Sequence, residues 1–307
     1  MFLILLLNAL FASTFTIAKE AVSLVPPIFF LGIRMTLAGA MLLMFTWFSR
    51  HRSSFSLKRT DYLLFALIVL FHIYGSYVFE FLGIRYMSSA RASLLYNLLP
   101  FVSALFSYFC FNELMTPKKW LGLLIGFAAF FPILSEQCSG QECALGTVGF
   151  ISVADLLLVC AVISCGIGWI AMRKLTRERH HSYIFVNGFG MFVGGLLCGI
   201  TSYFFEVWPA FQDFSTLPFW RSLIFLILIG NVICYNLYGK LLHIYSVTIL
   251  SFFGFFIPLF AAFFGWLWLG EEVSCAFYTT VGLVTIGLYL FYQEELKQGY
   301  VVGKSKN

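Results

Sequence analysis

Charge is what this sequence lacks. Only 11% of its 307 residues are Asp, Glu, Lys or Arg, against about 25% in a soluble domain. A folded surface is solvated by water largely through such groups, so a chain this poor in them needs another solvent. Also missing are any Cys/His group at zinc-ligand spacing, any GxxxxGK phosphate loop, and any basic cluster of the kind nucleic acid demands. These absences argue against a zinc module, an ATP-driven motor within this chain and a nucleic-acid partner. No metal or other cofactor is expected. The cysteines are scattered. Cys110, Cys160, Cys165, Cys198 and Cys234 lie in apolar runs and Cys275 opens another, where a thiol behaves as a small hydrophobe.

Apolar residues are what the chain has instead. They make up 61% of it, and aromatics alone 20%, with 38 Phe. The solvent is therefore the lipid bilayer. About 20 apolar residues are needed for a helix to cross it, and only helices or closed barrels can cross without orphaning backbone polar groups. Continuous apolar runs, not alternation, predict helices. Ten are expected: Phe2–Ala18, Pro26–Phe48, Tyr62–Ile84, Ser88–Phe111, Trp120–Leu134, Phe150–Met172, Tyr183–Phe205, Ser222–Gly239, Ser246–Leu269 and Cys275–Tyr292. The fifth is short and contains Pro132. The first has no positive flank before it, so it is read as a retained helix and not a cleaved signal.

Basic residues set the expected direction. With the N-terminus cytoplasmic, the cytoplasmic connections hold Arg50, Arg52, Lys58 and Arg59, then Lys118 and Lys119, then Arg173, Lys174, Arg177 and Arg179. The other side holds Lys19, Arg85, Arg91 and Arg221. This imbalance fits the positive-inside rule and an even number of helices, both termini cytoplasmic. The loop Ser135–Leu145 then lies outside, where Cys138 and Cys143 either form a short disulfide or stay as two free thiols.

The chain also repeats itself. Pro100 is followed 13 residues later by Glu113, and Pro258 is followed 13 residues later by Glu271. The same shift of 158 positions superposes Ser93 on Ser251, while a shift of 154 places Phe15 on Trp169 and Lys19 on Arg173. Gly122 and Gly282 each stand early in the helix after a Pro–Glu segment. The expected organisation is a first five-helix repeat at 1–134, an extracytoplasmic loop at 135–146, a second repeat at 147–293 and a cytoplasmic tail at 294–307. An odd helix number per repeat makes the two copies inverted, an architecture suited to carriers whose halves exchange roles. The fold class expected is all-α integral membrane, ten transmembrane helices as two inverted five-helix repeats.

The segment Tyr86–Phe130, YMSSARASLLYNLLPFVSALFSYFCFNELMTPKKWLGLLIGFAAF, resembles the signature of the drug/metabolite transporter superfamily, EamA-type. Ser246–Val273 is a looser second copy, with Ile249 and Leu250 where Arg91 and Ala92 stand in the first, and the sixth run from Asp155 through Gly168–Leu175 matches too. The resemblance implies a cavity between the halves, alternating access, a small-molecule substrate and a bacterial inner membrane; monomer and homodimer are both left open. In its aromatic richness the chain is also similar to the S-adenosylmethionine transporters of this superfamily in obligate intracellular bacteria, which implies S-adenosylmethionine uptake, possibly against S-adenosylhomocysteine. The alternatives left open are an amino-acid or organic-cation exporter and, outside the class, a membrane-embedded transferase.

Polar groups inside the spans are costly, about 2.5–3.5 kcal/mol for a charge on insertion scales, and mark candidate sites. In the third run His72, Ser76 and Glu80 fall on one helical face. Glu80, with Tyr77 beside it, suits a cationic substrate, or else pairs with Arg85 or Arg91 at the outer membrane edge. His72 is a candidate for proton coupling. Arg34 suits a carboxylate. Asn231 and Tyr235, one turn apart, and Asn97, ahead of Pro100, are hydrogen-bonding candidates. Phe15 and Trp169 offer rings to a planar base or a sulfonium. Lys19 and Arg173 are expected to snorkel, and Glu113 and Glu271 to face water at helix ends. Gly122, Gly126, Gly282 and Gly287 are expected in helix contacts.

Overall fold

The computed structural model describes residues 2–48, 58–111, 115–135, 144–148, 151–208, 216–235, 237–238, 241 and 253–297. Nine helices among them are long and apolar enough to cross a membrane: α1 (Phe2–Leu24), α2 (Pro27–Phe48), α3 (Arg59–Ile84), α4 (Ser89–Cys110), α5 (Pro117–Leu134), α6 (Val153–Thr176), α7 (Tyr183–Phe205), α8 (Leu217–Cys234) and, after the shorter apolar helix α9 (Phe256–Leu269), α10 (Cys275–Glu294). The start of the ninth apolar run lies outside the described residues, as do Cys138, Cys143 and Glu113. A two-residue ribbon pairs Thr147–Val148 with Ile151–Ser152 ahead of α6. Large apolar side chains such as Trp47, Phe48 and Phe205 stay more than 80% exposed, which suits lipid and not water.

Where the helices break, proline is the cause. A proline has no N–H to give the carbonyl four residues back. Ahead of Pro100, Asn97 and Leu98 bond instead to the carbonyls three residues back, Leu94 and Leu95, and α4 bends there. Ahead of Pro258, Ile257 turns to the Gly254 carbonyl. That leaves the Phe253 carbonyl without its helical donor, and the Asn8 amide donates to it at 2.7 Å. The chain before Pro132 turns in the same way at Phe130, which bonds to the Phe127 carbonyl at 3.2 Å.

The chain forms two compact units, and each draws on both halves of the sequence. One holds residues 1–16, 86–156 and 233–307; the other holds 17–85 and 157–232. In the second, α2 packs along α7 at backbone distance. A Cβ on Gly39 would come within 2.3 Å of the Phe192 nitrogen, and one on Gly195 within 2.4 Å of the Thr36 nitrogen. In the first, α5 and α10 pack likewise through Gly122, Gly126 and Gly287; Gly282 meets nothing within 4 Å and takes no part. Lipid offers apolar side chains as good a neighbour as protein does, so small residues that admit close dispersion contact hold such pairs.

Helix starts are capped by carboxylates from elsewhere in the same unit. Glu206, at the end of α7, accepts the Ile28 and Phe29 N–H groups at 2.9 and 2.7 Å. Glu271, beyond α9, accepts the Ser89 N–H at 2.9 Å and its hydroxyl at 2.6 Å. Both satisfy orphan donors of a helix N-terminus and oppose its partial positive charge. Glu271 is thus bonded, where the sequence suggested a group simply facing water. Lys19 likewise donates to the Arg85 carbonyl at 2.9 Å.

Candidate functional site

The unit of residues 17–85 and 157–232 carries most of the polar candidates. Its helices contain π-helical stretches at Ile68–Gly75 in α3 and Leu226–Cys234 in α8, and a shorter one, Lys174–Glu178, at the end of α6. The second begins 158 residues after the first, the shift that relates the Pro–Glu segments. A π turn fits an extra residue into the helix at a cost in hydrogen-bond geometry, and such turns concentrate at functional positions. His72 lies in the first and Asn231 in the second.

The first polar focus is Arg34, on α2, about 10 Å along the axis from the helix start. It is 4% exposed. Its Nε donates to Asn231 Oδ1 at 3.0 Å. Its guanidinium carbon lies 5.5 Å from the Tyr77 ring centre and 5.6 Å from that of Phe81. The Asn231 amide nitrogen in turn faces two thioethers, Met35 at 3.6 Å and Met191 at 3.5 Å. Among the described residues no carboxylate pairs with Arg34, and its two outer nitrogens have no hydrogen-bond partner.

The second focus lies on the adjoining face of α3, about 100° round the helix from Tyr77 and Phe81. His72, 2% exposed, meets the Trp169 ring edge-on at 4.9 Å between centres. Its Nδ1 stands 3.9 Å from the Cys165 sulfur, and its Nε2 is buried without a partner. The Cys165 thiol lies within hydrogen-bonding reach of Ser76 and Trp169 and within electrostatic range of Glu80. Of the face predicted for His72, Ser76 and Glu80, the His72 and Ser76 positions turn to Cys165 on α6. What lets the helices approach is Gly168, where a Cβ would stand 2.2 Å from that of His72. Sequence reasoning took Cys165 for a small buried hydrophobe and gave no role to Phe81, Met35 or Met191. The Gly168–Trp169 pair was the available signal for a close approach.

Phe15, Asn97 and Tyr235 belong to the other unit. Phe15 meets Tyr96 edge-on at 5.5 Å, and Tyr235 meets Phe11 at 6.4 Å. Asn97 stands at the break in α4, 9% exposed. There Arg91 forms a buried pair with Asp155, Nε to Oδ1 at 2.9 Å and an outer nitrogen to Oδ2 at 2.8 Å. It also reaches the Ile133 carbonyl at 2.9 Å. Arg91 is thus held by Asp155, which the sequence reading of a Glu80 partner had not considered. Among the described residues no three His, Cys, Asp or Glu converge as a metal site.

The EamA-like transporter family matches residues 1–135 and again residues 152–293. The chain belongs to this family. It is a multi-pass membrane transporter of a small molecule, not an enzyme. A Chlamydia muridarum protein called an S-adenosylmethionine/S-adenosylhomocysteine transporter is 36% identical over 98% of this chain and 94% of its own length. A Chlamydia trachomatis serovar L2 protein of the same name is also 36% identical, over 98% of this chain and 91% of its own. An uncharacterised Bacillus subtilis transporter is 24% identical over 90% of this chain and 91% of its own. A crystal structure at 19% identity shares the fold, with a TM-score of 0.65 over 96% of this chain and 97% of that one.

Proposed function

We propose that this transporter brings S-adenosylmethionine into the cell and returns S-adenosylhomocysteine. The observation that carries the reading is the near full-length likeness, at 36% identity, to chlamydial proteins bearing that name. The chemistry of the buried groups supports it. The substrate has a sulfonium, an ammonium, a carboxylate and a flat base. Glu80, 8% exposed on α3, supplies negative charge for the cationic end. Trp169 and Tyr77 supply ring faces, and Asn231 a hydrogen bond for a polar edge. The carrier sits in the bacterial inner membrane with both termini cytoplasmic. Its two halves are inverted and exchange the open side by alternating access.

Competition in cells making the protein tests this directly. Uptake of labelled S-adenosylmethionine is expected to be blocked by S-adenosylhomocysteine and not by free amino acids. Glu80→Gln should raise the half-saturation concentration for S-adenosylmethionine by about tenfold, the effect of roughly 1.4 kcal/mol. It should leave inhibition by S-adenosylhomocysteine, which has no sulfonium, nearly unchanged. Equal loss for both ligands would remove Glu80 from sulfonium recognition. Uptake no higher than in cells lacking the protein would overturn the substrate.

A further inference from the structure

We infer that Arg34 and Asn231 form the subsite that receives the carboxylate of the substrate's amino-acid part; the inference rests on the substrate class proposed above. A guanidinium taken out of water costs several kcal/mol unless its charge and donors are answered. Arg34 is 4% exposed, and what answers it is incomplete. One side is satisfied, since Nε donates to Asn231 Oδ1 at 3.0 Å. Two ring faces, Tyr77 and Phe81, soften the charge but accept no planar hydrogen bond. The pair of outer nitrogens remains, which is the edge of the fork that fits two carboxylate oxygens at once.

Asn231 completes the geometry. Because its oxygen is committed to Arg34, its amide nitrogen points the other way, to the sulfurs of Met35 and Met191 at 3.6 and 3.5 Å. Thioethers are weak acceptors. An amide buried to 0% exposure gains by exchanging them for an anionic oxygen. The arrangement therefore presents preset donors of one sign and lacks only the acceptor. It lies in the α8 π stretch, whose counterpart in α3 ends two residues before Tyr77, so both sides of the subsite stand on or beside the irregular turns. An inorganic anion has the same charge, and substrate analogues separate the two sources.

The test is equilibrium binding to the purified full-length carrier, using S-adenosylmethionine, S-adenosylhomocysteine and decarboxylated S-adenosylmethionine. The wild-type protein is expected to prefer S-adenosylmethionine over its decarboxylated form by about 30-fold or more, the worth of a charge-assisted pair. Asn231→Asp is nearly isosteric and supplies a carboxylate beside Arg34 from within. It should keep the fold and collapse that preference toward one. Arg34→Lys keeps the charge without the fork and should reduce the preference too. A purely structural role for Arg34 and Asn231 would weaken both ligands in proportion and leave the preference intact, which would overturn the inference. Equal wild-type affinity for both adenosyl compounds would overturn it while sparing the function. Equal affinity with added chloride or phosphate abolishing all binding would assign the subsite to an inorganic anion instead. No binding of any adenosyl compound would overturn the function and the inference together.

Discussion

Asp155→Asn should destabilise the protein by about 3–5 kcal/mol, the usual cost of removing one partner of a buried ion pair. Asp155 is fully buried and Arg91 5% exposed. Their two bonds at 2.9 and 2.8 Å are charge-assisted and bidentate, and the Ser152 hydroxyl donates to the same carboxylate at 2.8 Å. Asparagine has nearly the same shape but no charge, so the guanidinium of Arg91 would stay buried without the carboxylate that answers it in the native pair. The double variant Arg91→Met/Asp155→Leu should recover most of the loss, because it removes the buried charge and not merely its partner. Thermal unfolding in detergent measures both. A single variant that melts with the wild type, or a double variant worse than either single one, would contradict this account of the pair.

Membrane potential should drive uptake strongly. S-adenosylmethionine carries a sulfonium, an ammonium and a carboxylate near neutral pH, a net charge of one, while S-adenosylhomocysteine lacks the sulfonium and is neutral overall. One-for-one exchange therefore moves a positive charge inward. A charge crossing 100 mV is worth about 2.3 kcal/mol, roughly a fiftyfold change in the accumulation ratio. Proteoliposomes clamped inside-negative with a potassium gradient and valinomycin should accumulate label faster and to a higher plateau, and an inside-positive clamp should suppress it. Uptake that ignores the potential would mean that a compensating charge crosses in each cycle. The buried imidazole of His72, with its unpartnered Nε2, would be the first group to examine.

How much of this was legible in the sequence depended on period and spacing. Scarce charge and long apolar runs locate the helices because lipid leaves few alternatives. Pro100 and Pro258 mark real breaks because a missing N–H has a local consequence. Helical spacing put His72, Ser76 and Glu80 on one face, and of these His72 and Ser76 meet Cys165 although part of α3 is π-helical. What was not legible needed the third dimension. Arg34 and Asn231 are 197 positions apart, and nothing in either neighbourhood announces the other. The Arg91–Asp155 pair bridges α4 and the start of α6, and Asn8 answers a carbonyl freed by a proline 250 residues away. Glu206 and Glu271 look like loop residues until the helix starts they cap are placed beside them. The two packed units also cut across the sequence halves, because helices at like positions in the two halves, α2 with α7 and α5 with α10, pack together.

The central claim is exchange of the two adenosyl compounds by this chain alone. Purified protein in liposomes preloaded with unlabelled S-adenosylhomocysteine measures it, with labelled S-adenosylmethionine added outside. Preloading is predicted to accelerate entry of label several-fold over empty liposomes, with S-adenosylmethionine inside doing the same and free methionine not. Entry equal in preloaded and empty liposomes would contradict exchange, and no entry in either would contradict the substrate.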